Sequence, residues 1–166
     1  AEFTCRLFGT ALGINRELRT RSQLEAAEEI GLPNHFVAAL EGGDPFSSVD
    51  SWLRAWSWMG YLENVNTVAC MGMPTWGAAL KAFVDSPSSD SRRDEVLSSL
   101  GLDAPTWNGM LDSSLQIEIH QWICAWTRMG ILRQIVAAAF PTDIAVALAK
   151  AYAAQMPDLD AELEPD

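Results

Sequence analysis

The segment from Ser22 to Leu62 recurs 70 residues later without a gap, and that recurrence limits the fold more than any other feature. Near its end Trp52, Ala55, Trp56 and Met59 fall at i, i+3, i+4 and i+7, the spacing of one apolar helical face. Gly60 follows, placed to take the left-handed turn that ends a helix. Seventy positions on stand Trp122, Ala125, Trp126, Met129 and Gly130, with Leu132 for Leu62. Glu25, Gly31 and Leu32 map in the same way onto Glu95, Gly101 and Leu102. Tryptophan is rare, so two Trp pairs in one register point to internal duplication of an all-helical unit.

Residues 5–19 carry Leu7, Phe8, Leu12, Ile14 and Leu18 and predict a first helix, weakened by Gly9 and Gly13. Arg16, Arg19 and Arg21 gather at its end, as cations complementing a helix C-terminus or as phosphate contacts. Ser22-x-x-Glu25 is a capping box that opens a second helix, closed at Gly31. Leu32-Pro33 leads into a third, Asn34 to Leu40, with Pro33 suited to its first turn. Gly42, Gly43 and Pro45 make a turn, and Ser47 or Ser48 caps the Trp helix. Trp58 lies about 240° round that helix from Trp52 and cannot share its face. It is assigned to a seam between the copies, with a partner-binding surface as the alternative. Residues 63–73 form a connector with room for a fifth helix.

Met73-Pro74-Thr75 opens a helix from Trp76 to Val84, and Phe140-Pro141-Thr142 opens another from Asp143 to Ala153, here at an offset of 67. Trp76 to Val84 thus closes one copy and begins the next. Ser86 to Ser91 reads as a loop, followed by a helix from Arg92 to Leu100. The third helix of the second copy is Ala104 to Leu111, and Ser113-x-x-Gln116 caps the next, with His120 near its start. The divisions expected are copy one over 1–73, copy two over 74–156 and an acidic tail over 157–166. Alanine in the last helix suits close helix approach, including pairing in a homodimer.

The first copy resembles a known family. Ser22-Gln23, Glu25, Ala27-Glu28 and Ile30-Gly31-Leu32 are similar to the second helix and turn of the lambda-repressor-like (Xre-type) helix-turn-helix domains. Val37, Leu40, Glu41 and Gly43 stand where that family has its third-helix apolar residues and Glu-x-Gly ending, and Ser47-Ser48-Val49, Leu53 and Gly60 continue the pattern. The second copy has Arg92-Arg93 in place of the Ser-Gln pair and Leu111-Asp112-Ser113 in place of Glu-x-Gly. The resemblance implies an all-α fold, a tandem pair of four- to five-helix units. It implies base contacts from Asn34, His35 and Gln23, and phosphate contacts from Arg16, Arg19, Arg21 and Ser22. An Asn in that position can bond adenine through N6 and N7. Arg92, Arg93, Thr106 and Asn108 are the second copy's candidates, although Asp103 and Asp112 flank them and would repel phosphate.

Charge works against the first of two functional classes. The chain has 11 basic and 22 acidic residues, a formal charge of −11. Residues 1–62 hold five basic and eight acidic side chains, a net of −3. Non-specific grip on nucleic acid or on an anionic membrane needs basic patches. Of two readings, the one expected from the resemblance is a sequence-specific DNA-binding regulator of bacterial or phage type. The other is the same fold reused as an acidic protein-binding module, such as an anti-activator, an antirepressor, a phage inhibitor of a host system or a decoy. No nucleophile–base set, phosphate loop or metal spacing is visible, so neither enzyme chemistry nor a cofactor is expected. Cys5, Cys70 and Cys124 are odd in number and scattered, which fits free thiols in a reducing cytoplasm.

Overall fold

A computed structural model describes residues 1–85, 98 and 101–140. Within them the chain is all-α, with helices α1 (Glu2–Leu18), α2 (Gln23–Ile30), α3 (Asn34–Glu41), α4 (Val49–Met59), α5 (Leu62–Cys70), α6 (Trp76–Val84), α7 (Ala104–Leu111), α8 (Ile119–Met129) and α9 (Leu132–Ala139). The expected 86–91 loop, the helix opened by Arg92 and Arg93, the Asp143–Ala153 helix and the acidic tail lie outside the described residues.

Local chemistry accounts for several helix ends. Ser22 accepts from the Glu25 amide while Glu25 accepts from the Ser22 amide, a complete capping box. Ser48 caps α4 through the Ser51 amide, and Thr75 caps α6 through the Ala78 amide. Gly31, Gly60 and Gly130 end their helices with φ of 85°, 86° and 74°. In that region a Cβ is costly and glycine is not. The connector over 63–73 is mostly the helix α5. The helix after Ser113 is not capped by Ser113-x-x-Gln116: it begins at Ile119 behind Glu118, with no side-chain cap. Ser113 Oγ instead accepts from the Gly77 amide at 2.9 Å, which ties the turn after α7 to the start of α6.

Helices α3, α4 and α5 return as α7, α8 and α9, each beginning 70 residues later. The two sets meet about a local two-fold axis. Val49 N–H donates to Ile117 O and Ile119 N–H donates to Ser47 O, both at 2.8 Å. Asp50 N–H to Leu115 O at 3.0 Å is answered by His120 N–H to Pro45 O at 3.2 Å. Each bond is its partner shifted by 70 with donor and acceptor exchanged. Ser48 and Glu118 form the antiparallel bridge at the centre, and α5 packs along α9.

Aromatic rings carry the core through this junction. Phe8 lies 5.7 Å from Trp52 and 5.5 Å from Trp56; Trp76 lies 5.5 Å from Trp122 and 5.2 Å from Trp126. Trp56 and Trp76 join the two groups at 6.5 Å. All but Trp76 among the tryptophans of these groups are at most 1% exposed. Helix approach also repeats. Gly9 of α1 is pressed against the Leu40 and Glu41 carbonyls, and Gly77 of α6 against those of Met110 and Leu111. Gly9 therefore does not weaken α1 as its propensity suggests; it is the site where α3 comes closest.

Gly77→Ala tests this packing. The methyl gains about 1 kcal/mol of helix propensity but drives into backbone oxygen that cannot swing away. We expect a net loss of about 1–3 kcal/mol in urea unfolding, with the slope against denaturant unchanged.

Candidate helix-turn-helix face

The candidate readers are surface groups. Asn34 and His35 are exposed at the first turn of α3, directly after Pro33, which occupies the cap position. The His35 ring lies 4.6 Å from Phe36. Gln23 is half-buried at the start of α2. Helix α2 packs on α3 across the turn at Gly31, whose own amide and that of Leu32 both donate to Ala27 O. Residues 22–41 thus form two packed helices joined at Gly31.

The candidate phosphate contacts have other work. The Arg16 guanidinium donates to both carboxylate oxygens of Glu41, at 2.9 Å through Nε to Oε2 and 2.9 Å through Nη2 to Oε1. Its Nη1 donates to the Arg21 carbonyl. The pair is largely shielded, with 16% and 12% side-chain exposure. The Glu41 hydrogen bond raises the Arg16 pKa above its ordinary value. This fork fixes the end of α1 to the end of α3. Ser22 Oγ is spent on the capping box.

Arg19, Arg21 and Trp58 form a second network with Glu29. Arg21 Nε donates to Glu29 Oε1 at 2.8 Å, and Trp58 Nε1 donates to Glu29 Oε2 at 3.0 Å. Arg19 lies 4.4 Å over the Trp58 ring and donates to the Trp58 carbonyl. Trp58 is therefore not at the seam. It covers α1 and α2 of its own half, because a cation and a carboxylate there satisfy its face and its N–H. The partners lie 8 to 39 residues apart in sequence, so spacing on a single helix could not reveal them.

The second half offers less. Asp103 caps α7 through the Thr106 amide and its carboxyl pKa is lowered by hydrogen bonding to Thr106. Thr106 is half-buried and Asn108 exposed. Arg92 and Arg93 lie outside the described residues.

Two features had no sequence signal. Phe36 and Phe46 are 45% and 67% exposed and flank a cleft of about 340 Å³ whose lining includes Leu32, Ala39, Asp44 and Asp50. Phe46 also meets His120 across the two-fold at 5.4 Å. Among the described residues no three His, Cys, Asp or Glu side chains are grouped to hold a metal ion, and no helix is long and apolar enough to cross a membrane.

Two outcomes follow. Arg16→Ala should lower unfolding free energy by about 1.5–3 kcal/mol, the range for hydrogen bonds to charged groups, read by urea titration. Hydrogen bonds from Trp58 and Arg21 hold the Glu29 carboxyl below its ordinary pKa. A depressed folded pKa contributes stability above the unfolded value and loses it as pH falls through the folded one. The Trp58 indole N–H resonance should therefore hold steady through the ordinary carboxylate range and shift only below it. In Glu29→Gln that acid-limb shift should vanish.

No protein family, curated protein or solved structure matches the chain.

Proposed function

We propose that the chain is a helix-turn-helix-like module, in two diverged tandem copies, that engages a protein partner and not DNA. The observation that carries this reading is the pairing of the arginines. Arg16 is locked to Glu41, and Arg19 and Arg21 share the Trp58–Glu29 network. Arg19 and Arg21 are exposed, and surface ion pairs are weak enough to be exchanged for phosphate. Two such cations would release about two counterions. From these two cations alone the slope of log affinity against log salt is about −2, where specific DNA-binding proteins make six to ten phosphate contacts. Exposed acids on α2, Glu25 and Glu28, add repulsion. The exposed Phe36 and Phe46 beside Asp44 and Asp50 suit an apolar segment that carries basic residues.

A DNA-binding regulator is the second reading. It is favoured by the exposure of Asn34 and His35 at the start of α3, and by a two-fold that would present α3 and α7 as half-site readers do.

A gel shift against DNA from the gene's own neighbourhood, at two salt concentrations, separates the two. We expect no specific complex, and the same result for Asn34→Ala/His35→Ala. A sequence-specific, salt-sensitive shift that this double variant abolishes would establish the DNA reading instead. On the partner reading, affinity capture with the wild type retains a protein that Phe36→Ser/Phe46→Ser does not.

A further inference from the structure

The halves differ at one place where the two-fold would make them alike. Trp76 of α6 takes the position that Phe8 holds in α1, and each ring meets the Trp pair of its own half. Helix α1, however, starts at Glu2, and Phe3, Cys5 and Leu7 ahead of Phe8 are buried. Helix α6 starts at Trp76 itself, and Met71 to Thr75 before it are exposed.

The other side of each ring differs as well. Phe140, at the end of α9, closes on Phe8 with ring centroids 6.1 Å apart. The residue 70 positions before Phe140, beside Trp76, is Cys70. Val136 has Asn66 as its counterpart, and buried Leu7 has exposed Thr75. Phe140 beside Phe8 and Leu7 before it are thus answered at Trp76 by Cys70 and Thr75. What remains is a cavity of about 330 Å³ between the halves, lined by Trp76, Trp122, Cys70, Asn66, Thr75 and Ser113 among others. That volume lies at the lower end of small-molecule sites.

Its polar groups are oriented. Asn66 Oδ1 accepts from Trp76 Nε1 at 2.8 Å, which turns the amide so that its NH₂ group remains a donor. Ser113 holds φ at 56°, left-handed backbone where the first half has Gly43, and its hydroxyl is anchored on the Gly77 amide. Backbone in that region is disfavoured for residues with a Cβ and is concentrated at binding sites. Burial pushes the Cys70 thiol pKa up, so the wall beside Trp76 is uncharged.

We propose that this cavity binds a small planar aromatic compound with a hydrogen-bond acceptor. Its ring takes beside Trp76 the place that Phe140 takes beside Phe8, and its acceptor receives the Asn66 N–H. Because both halves line the cavity, such a ligand stabilises their junction. The site does not depend on whether the chain engages protein or DNA.

Benzamide is a suitable probe for the purified full chain. We expect saturable quenching of Trp emission with a Kd of about 1 mM or tighter, and a melting temperature that rises with probe concentration. Cys70→Phe places a ring in the cavity and should bind benzamide at least tenfold more weakly while staying folded by circular dichroism. Should that variant fail to fold, Cys70→Leu carries the same comparison with a smaller expected loss. Asn66→Val should weaken benzamide at least threefold more than toluene, which has no acceptor. Absence of saturable binding, undiminished binding by the filled variants, or equal effects of Asn66→Val on the two probes would overturn the proposal.

Discussion

The structure hangs on a chain of aromatic contacts that runs from Phe140 through Phe8 to Trp52 and Trp56, on to Trp76, and out to Trp122 and Trp126. Burying a Trp removes on the order of 200 Å² from water, about 5 kcal/mol of gross apolar transfer at the usual coefficient. Geometry matters as much as area. Phe8 meets Trp56 at 87° and Trp76 meets Trp122 at 79°, edge-to-face arrangements that fix the rotation of α1, α4, α6 and α8 about their own axes. Once those rotations are set, the loops before α4 and α8 are brought together so that their backbone bonds can be exchanged across the two-fold. The helices α5 and α9 then close the other side.

Much of this was legible because the signals are local. The Trp spacing located α4 and α8, glycine at 60 and 130 marked their ends, and Ser22 with Glu25 announced α2. Each depends on residues within one or two helical turns. What was not legible depends on partners brought close only by the fold. Arg16 and Glu41 are 25 residues apart, and Trp58 and Glu29 are 29 apart. Ser113 resembled a cap because Gln116 follows it at the right spacing, yet its hydroxyl accepts from the Gly77 amide, 36 residues away. Trp58 looked misplaced because helical periodicity counts apolar neighbours and does not see a cation above a ring.

The same limit applies to the candidate face. A cluster of arginines reads as a basic patch until their counter-ions are known. Here Glu41 holds Arg16 and Glu29 holds Arg21 in place. Charge on this surface is therefore spent on internal geometry. The surface left over is polar at Asn34 and His35 and apolar at Phe36 and Phe46.

The two-fold lies within one chain, and that changes what substitution can do. In a symmetric homodimer every mutation strikes twice, so a residue that empties a pocket on one side empties its twin as well. Within a single chain each codon is read into one side only. Phe140 can keep one ring covered while Cys70 uncovers the other, and Gly43 can keep one turn relaxed while Ser113 strains its counterpart. Asymmetry of this kind lets one half act as scaffold and frees the other to change, without a second subunit having to tolerate the same experiment.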